Sequence, residues 1–489
     1  MEEQNKIRIK KKNESPILEN KKFILYWMQA YRRFESNHAF DYAVHLAKKY
    51  DKELVVYEGL RSDYPYSSER LHKFILEGFR DNAKEATRLG INYWPFVETK
   101  TKPGRGLLKK VSKDACAIVS DDFPCFIIPE QNQKLANKVE CAYFVVDGNS
   151  CIPLSHFPKP ASAARILRPW IHKAFGNYFP YRAKSSYSKR ELAKLNKGTK
   201  APFEPYVPEQ MDSTISNIIF KEHVGIARDM EGGRIAGLKK LNEFVKSKLA
   251  LYLEGRSNPN PPEFTATSGL SAYLHFGYIS SEELVEASLG SDWTVESLHK
   301  KKPGDRETFY SNKNSTNHFL DELLTWREIG YLFFWDKPEF GKNLTHLPDW
   351  VKKNMEKHKK DRREFNYTLE EWESAKTHDD LWNAAQIELV KTGRLHNYMR
   401  MLWGKKIIEW SPTYEYAFET MEYLNHKYAY DGRNPNSYSG LLWCFGLFDR
   451  PWFPERNVFG NIRYMSSDST KRKFKMQKYL EYTNELSKI

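Results

Sequence analysis

Phe23-Ile24-Leu25-Tyr26-Trp27-Met28 is an unbroken apolar run, and its reading decides the N-terminal fold. A strand that is apolar at every position buries both faces, as in a parallel sheet covered by helices on either side. Working outward, residues 37–50 carry apolar side chains at helical spacing and end on Lys48 and Lys49. Residues 53–57 read as a second strand and 70–89 as a helix, with further strands expected at 91–97, 115–120 and 142–146. Strands alternating with helix-length segments over 22–150 predict an α/β domain with a parallel, Rossmann-like sheet. A dinucleotide site of the usual kind is not supported. Gln29-Ala30-Tyr31-Arg32-Arg33 stands where a GxGxxG turn would follow the first strand.

The rest of the chain has a different character. Residues 1–21 are polar and lysine-rich, without the apolar core of a signal peptide, and are expected to be disordered. Residues 151–210, rich in Pro, Ser, Lys and Tyr, lack periodicity and read as an interdomain linker. From 211 to 489 helical patterns dominate, at 233–253, 281–289, 316–334, 368–375, 378–392, 395–409 and 412–427, so this domain is expected to be all-α. The polar stretch 293–315 reads as an inserted loop.

Composition narrows the function classes. Lys+Arg 77 against Asp+Glu 63 gives a formal net charge of +14. Such a balance points to a polyanionic partner, nucleic acid before acidic membrane, although a solvated basic surface explains charge alone as well. No apolar stretch is long enough to span a membrane. The five cysteines form no CxxC pair, which predicts a reducing compartment, no structural zinc and no other metal site. A cytoplasmic protein is expected, nucleoid-associated in a bacterium. HExxH, GxxxxGK[ST] and GxSxG are all absent, so protease, P-loop and hydrolase readings have no support.

Four constellations carry chemistry. Ser268, Gly269, Leu270 and Ser271 lie directly before a helix, where backbone N–H groups suit a phosphate or simply cap the helix. Trp403 and Trp410 are seven residues apart on one predicted helix and Trp382 begins the preceding one, a spacing that serves an electron relay or core packing. Glu322 and Trp326, at i and i+4, share a helical face that could receive a base or lie on the surface. The tail interleaves Arg450, Trp452, Arg456, Arg463, Tyr464 and Lys471, which favours nucleic acid.

Taken in order, the blocks THDDLWNAAQ at 377–386, HNYMRMLWGKKIIEW at 396–410, YLN at 423–425, DGRNPN at 431–436 and VFGNIRYM at 458–465 resemble the class II cyclobutane pyrimidine dimer photolyases of the photolyase/cryptochrome superfamily. The resemblance runs from about residue 22 to the end of these blocks. It implies an α/β antenna domain, a helical domain holding a bent FAD, UV-damaged DNA as partner, and a monomer. It implies carbon–carbon lyase chemistry: the excited reduced flavin gives one electron to a flipped-out dimer. By the same resemblance Tyr252 and Ser268–Ser271 bind the FAD phosphates and ribityl chain. Arg400 pairs with Asp431 beside the flavin ring, Gly432 belongs to the same loop, and Asn425 faces flavin N5. Trp403, Trp382 and Trp410 form the photoreduction relay. Glu322 hydrogen-bonds the lesion; Trp326, Met401 and Trp443 line its pocket; Arg256, Arg450, Trp452 and Arg463 hold the DNA. A deazaflavin-type antenna chromophore is the family expectation. Two alternatives are a cryptochrome-like photoreceptor without repair, and repair of (6-4) photoproducts, which is expected to need a histidine acid at the lesion. The chain departs from the family pattern at Gln29–Arg33, in the longer stretch 293–315, between Trp443 and Arg450, which is one residue short, and at Ser466–Thr470.

Overall fold

The computed structural model describes residues 3–260, 265–335 and 343–488. Every residue of the strand Phe23–Met28 (β2) is buried. Ile24, Tyr26 and Met28 join one core while Phe23, Leu25 and Trp27 join another, so the two faces of the strand feed different cores. Glu53–Leu60 (β3), Asn92–Val97 (β4), Ala115–Asp121 (β5) and Ala142–Val146 (β6) complete a parallel sheet. With Ile9–Lys11 (β1), the spatial order is β1-β6-β5-β2-β3-β4. Among the parallel strands this is the doubly wound order, whose direction reverses between β2 and β5 and opens a crevice at the carboxyl ends.

The turn after β2 explains the missing glycine motif. One carboxylate oxygen of Asp121 accepts the backbone N–H groups of Gln29, Ala30 and Tyr31 at 2.9, 2.6 and 2.9 Å. An internal anion thus takes the donors that a dinucleotide phosphate would use in this fold. Arg33, 2% exposed, turns inward and donates to the carbonyl oxygens of Ser36 and Gly277, locking this turn against the helical half.

Two expectations are corrected. The N-terminal stretch is ordered over its described residues: β1 pairs antiparallel with β6, with Ile9 opposite Val146. Arg8, 1% exposed, donates to the carbonyl oxygens of Asp147, Ser150 and Cys151 at 3.1, 3.0 and 2.8 Å. Composition flagged the lysines and could not show the three carbonyls that one arginine satisfies. The linker, in turn, contains the helix Ala164–Tyr178, which buries Leu167, Ile171 and Phe175. Pro169, inside the helix, hid the pattern, because an internal proline removes a hydrogen bond and argues against helix. The polar stretch 293–315 is pinned to this helix, with Phe309 stacked on His172 at 3.7 Å.

Beyond residue 146, no strand occurs among the described residues; helices carry the remainder. The expected helix 316–334 is broken into Asn314–Asp321 and Arg327–Trp335 by a π-helical turn at Glu322–Trp326. Two residues after this turn, Glu328 is 1% exposed, and burial drives its carboxyl up to about 8 against the lowering effects of the Ser150 hydroxyl and Arg327. It is protonated in the fold where an ordinary glutamate, titrating near 4.5, is ionised once unfolded. Folding therefore takes up a proton between these values, and stability falls as pH rises from about 4.5 to about 8, at up to ~1.4 kcal/mol per pH unit. Glu328→Gln is expected to flatten that slope in thermal melts across the same range; an unaltered slope would mean the carboxyl is already ionised in the fold.

Candidate functional site

Among the helices lies a cavity of about 810 Å³. Its floor comes from Ser268, Gly269, Leu270 and Ser271, in the loop entering the short helix Ser271–His275. Gly269 has φ +65, and a β-carbon there would meet Lys240 Cε at 2.8 Å, so the lysine stem lies directly over this loop. Burial, and then Arg394, lower the Lys240 pKa, as expected of cations crowded into a concave site. Tyr252 closes one side.

The opposite wall is the helix Asn397–Glu409, which contributes Arg400 and Met401. Arg400 Nη2 donates to Asp431 Oδ1 at 3.0 Å. Burial alone would raise the Asp431 carboxyl; Arg400 and the Ser271 hydroxyl outweigh it and hold it below the ordinary carboxylate range. Ser437 Oγ donates to the Asp431 carbonyl at 2.6 Å, which fixes the loop that carries the acid.

One turn beyond Arg400, Trp403 is fully buried and donates its indole N–H to Gln386 Oε1 at 2.9 Å. Its ring stacks on Trp382 with centroids 6.5 Å apart and planes 8° apart. Trp382, also fully buried, donates to the Trp403 carbonyl at 3.0 Å. Trp410, 4% exposed, caps the same helix and packs beneath His378 at 4.5 Å between ring centroids.

At the mouth, Glu322 is engaged by the Arg256 guanidinium. Burial raises the Glu322 pKa although Arg256 opposes the shift. The guanidinium is itself steadied over the Tyr252 ring at 5.6 Å, and His396 Nε2 meets the Arg256 carbonyl at 3.1 Å. On the adjoining surface, Arg450 lies 4.8 Å over Trp452, Arg463 lies 4.8 Å over Trp452 and 5.9 Å over Trp443, and the buried Lys405 lies 5.6 Å from Trp443. Cations and indoles alternate here, an arrangement that presents charge to phosphates and flat faces to bases.

No family model matches the chain. A deoxyribodipyrimidine photo-lyase of Methanothermobacter thermautotrophicus is 33% identical, covering 94% of this chain and 94% of the relative. Those of Oryza sativa and Arabidopsis thaliana are 31% and 30% identical over 95% and 99% of this chain, and 88% and 93% of their own lengths.

The chain belongs to the deoxyribodipyrimidine photo-lyase family.

Solved structures agree in fold. A class III photolyase from Agrobacterium tumefaciens matches with TM-score 0.60 at 16% identity, covering 95% of this chain and 86% of that one. A cryptochrome of Synechocystis matches with TM-score 0.63 at 14% identity, covering 94% and 88%. An archaeal photolyase from Sulfolobus tokodaii, solved with two FAD molecules, matches with TM-score 0.61 at 16% identity, covering 94% and 89%.

For a photo-lyase chain, the expected residues sort clearly. Tyr252, Ser268–Ser271, Glu322, Arg400, Met401 and Asp431 line one cavity. Asn425 and Gly432 are not among its lining residues; Asn425 is 1% exposed, with Nδ2 3.3 Å from His426 Nδ1. Trp326, 38% exposed, does not line the cavity with Glu322, although both lie on the same π-helical turn. Sequence reasoning missed Lys240, Arg394, Asn434 and Asn436, which join the lining from distant segments. A second cavity, of about 650 Å³, occupies the crevice at the carboxyl ends of β2, β3 and β4. Tyr57 and Phe96 line it, and Arg61, Arg105, Lys109 and Lys138 give it a basic rim. His275 lines both cavities. Among the described residues, no helix is long and apolar enough to cross a membrane.

Proposed function

We propose that this chain is a class II cyclobutane pyrimidine dimer photolyase, which repairs UV-damaged DNA under blue light with FAD bound in its helical half. One observation carries the reading: the Arg400–Asp431 pair, the Gly269 loop beneath Lys240, and Glu322 at the mouth share a single cavity. The donor set suits a flavin dinucleotide. Backbone N–H groups and hydroxyls at 268–271, with Lys240 and Arg394, oppose a diphosphate. Arg400, oriented by Asp431, favours an electron-rich ring in its anionic form. FAD supplies the light absorption and the electron; the side chains bind, orient and exclude water.

Glu322 would meet the lesion. Its carboxyl group lines the cavity, and engaging the dimer requires Arg256 to yield its hold. The row of Arg450, Trp452, Arg463 and Trp443, with a net charge of +14, favours binding that is independent of sequence and weakened by salt. His396 is pulled down to about 4 by burial, so it stays neutral near neutral pH and is a poor acid for (6-4) chemistry. The second cavity suits a planar, anionic light-harvesting chromophore of deazaflavin type, given its aromatic wall and basic rim.

The test is the visible spectrum of the purified chain, with blue-light loss of cyclobutane dimers from UV-treated DNA under reducing conditions. Flavin bands and light-dependent loss are expected. Glu322→Ala is expected to slow repair by roughly 100-fold with the flavin bands intact. Flavin bands without repair in the unsubstituted chain would favour a photoreceptor, and a colourless protein would remove the flavin reading.

A further inference from the structure

We propose that Trp372 is a member of the electron relay, interposed between Trp382 and Trp410. The inference rests on the photoreduction reading above and adds a residue to it. Trp372 is fully buried in the short helix Leu369–Glu373, held in place by a Thr368–Glu371 capping box. Its ring centroid lies 4.7 Å from that of Trp382, edge to face. On its other side it stacks on Trp410, with centroids 6.2 Å apart and planes 8° apart. Among the described residues no direct ring contact joins Trp382 to Trp410; the continuous path runs Trp403, Trp382, Trp372, Trp410.

A second observation makes Trp372 a conductor instead of a trap. An oxidised indole is a strong N–H acid, and a nearby base would take its proton and pin the hole. The Trp372 indole N–H is buried with no hydrogen-bond partner among the described residues. Those of Trp382 and Trp403 donate to a backbone carbonyl and to the Gln386 amide oxygen, neither of them a base at neutral pH. A hole on any of these indoles keeps its proton and passes on. Trp410 is where the path meets the exposed His378.

Electrons balance as follows. With FAD held in the cavity, Trp403 would be the first indole to give up one electron to it under light. Trp382 refills Trp403, Trp372 refills Trp382, and Trp410 refills Trp372, with no bond made or broken. The Trp410 radical cation then releases its indole proton to solvent, and a thiol outside the protein returns an electron and a proton together, restoring the indole and leaving a thiyl radical.

Flash spectroscopy of the flavin-loaded full chain tests this. Trp372→Phe is expected to leave the first electron transfer from Trp403 at full amplitude. The late, long-lived tryptophan radical should form about tenfold more slowly or worse, a barrier rise of ~1.4 kcal/mol, and recombination should dominate. Flavin content and repair by chemically reduced protein should not change, which a merely structural role would not predict. Independently of flavin, the same substitution should remove the exciton couplet of the stacked Trp372–Trp410 pair from the far-ultraviolet circular dichroism. An unchanged couplet, or an unchanged late radical with Trp403→Phe and Trp382→Phe both blocking, would overturn the role of Trp372 and leave the relay standing. If all three variants photoreduce normally, the relay reading itself falls.

Discussion

Oxidised Trp403→Phe protein, illuminated with blue light in the presence of a thiol, is expected to lose photoreduction almost completely. Trp403, the indole proposed to start the relay, lies on the helix that also carries Arg400 and is fully buried, so no solvent reductant can reach its place. Phenylalanine fills most of the same space but is far harder to oxidise. The substitution also frees Gln386 Oε1 from its 2.9 Å hydrogen bond, a loss of about 1–3 kcal/mol in a buried setting. A chain of this size should tolerate that, and flavin absorbance reports whether it does. Repair by chemically reduced Trp403→Phe protein should stay close to that of the unsubstituted chain. Equal loss of both activities would refute the relay assignment. Glu322→Ala provides the opposite pattern, since it touches the mouth of the cavity and leaves the indoles alone.

Gly277→Ala is expected to destabilise this chain severely. Gly277 has φ +69, where a side chain is strained. Its new β-carbon would stand 1.9 Å from the Ala30 carbonyl oxygen and 2.7 Å from Tyr31 Cα. Both obstacles are backbone, in the turn that Asp121 holds by three N–H groups, so neither can rotate away. Strain and overlap together should destabilise by about 3 kcal/mol or more. Chemical denaturation should show an earlier midpoint, with flavin content falling as the two halves lose their register. An unchanged midpoint would show that the turn yields freely, against the geometry of its Asp121 and Arg33 anchors.

How much was legible in the sequence depended on how local each signal was. β2 and β6 match the apolar runs that predicted them, because burial of every position in β2, and of all but Phe144 in β6, leaves an uninterrupted pattern. The helix Ser281–Leu289 has the expected bounds because Ser280 and Glu283 form a capping box that any reader of the sequence meets in order. The cavity was only partly legible. Lys240 and Arg394 reach it from separate segments, and no spacing rule links them to Gly269. The π-helical turn at Glu322–Trp326 inserts its bulge without a proline or glycine to mark it, so nothing in the spacing announced it. Trp372 falls inside the helical pattern at 368–375 with nothing to set it apart, since its neighbours Trp382 and Trp410 flank it only in space.

The pairing of β1 with β6 has a consequence for how the chain is made. β1, one of the sheet's two edges, is made before the sheet's other strands, yet Ile9 can find Val146 only after the whole of the sheet between them has been synthesised. Arg8 must wait slightly longer, for the carbonyls of Asp147, Ser150 and Cys151. Closing so long a loop is slow, and an unpaired edge is exposed to wrong partners in the meantime. The lysines at positions 10, 11 and 12 keep that waiting segment charged, a composition that disfavours pairing with a wrong edge.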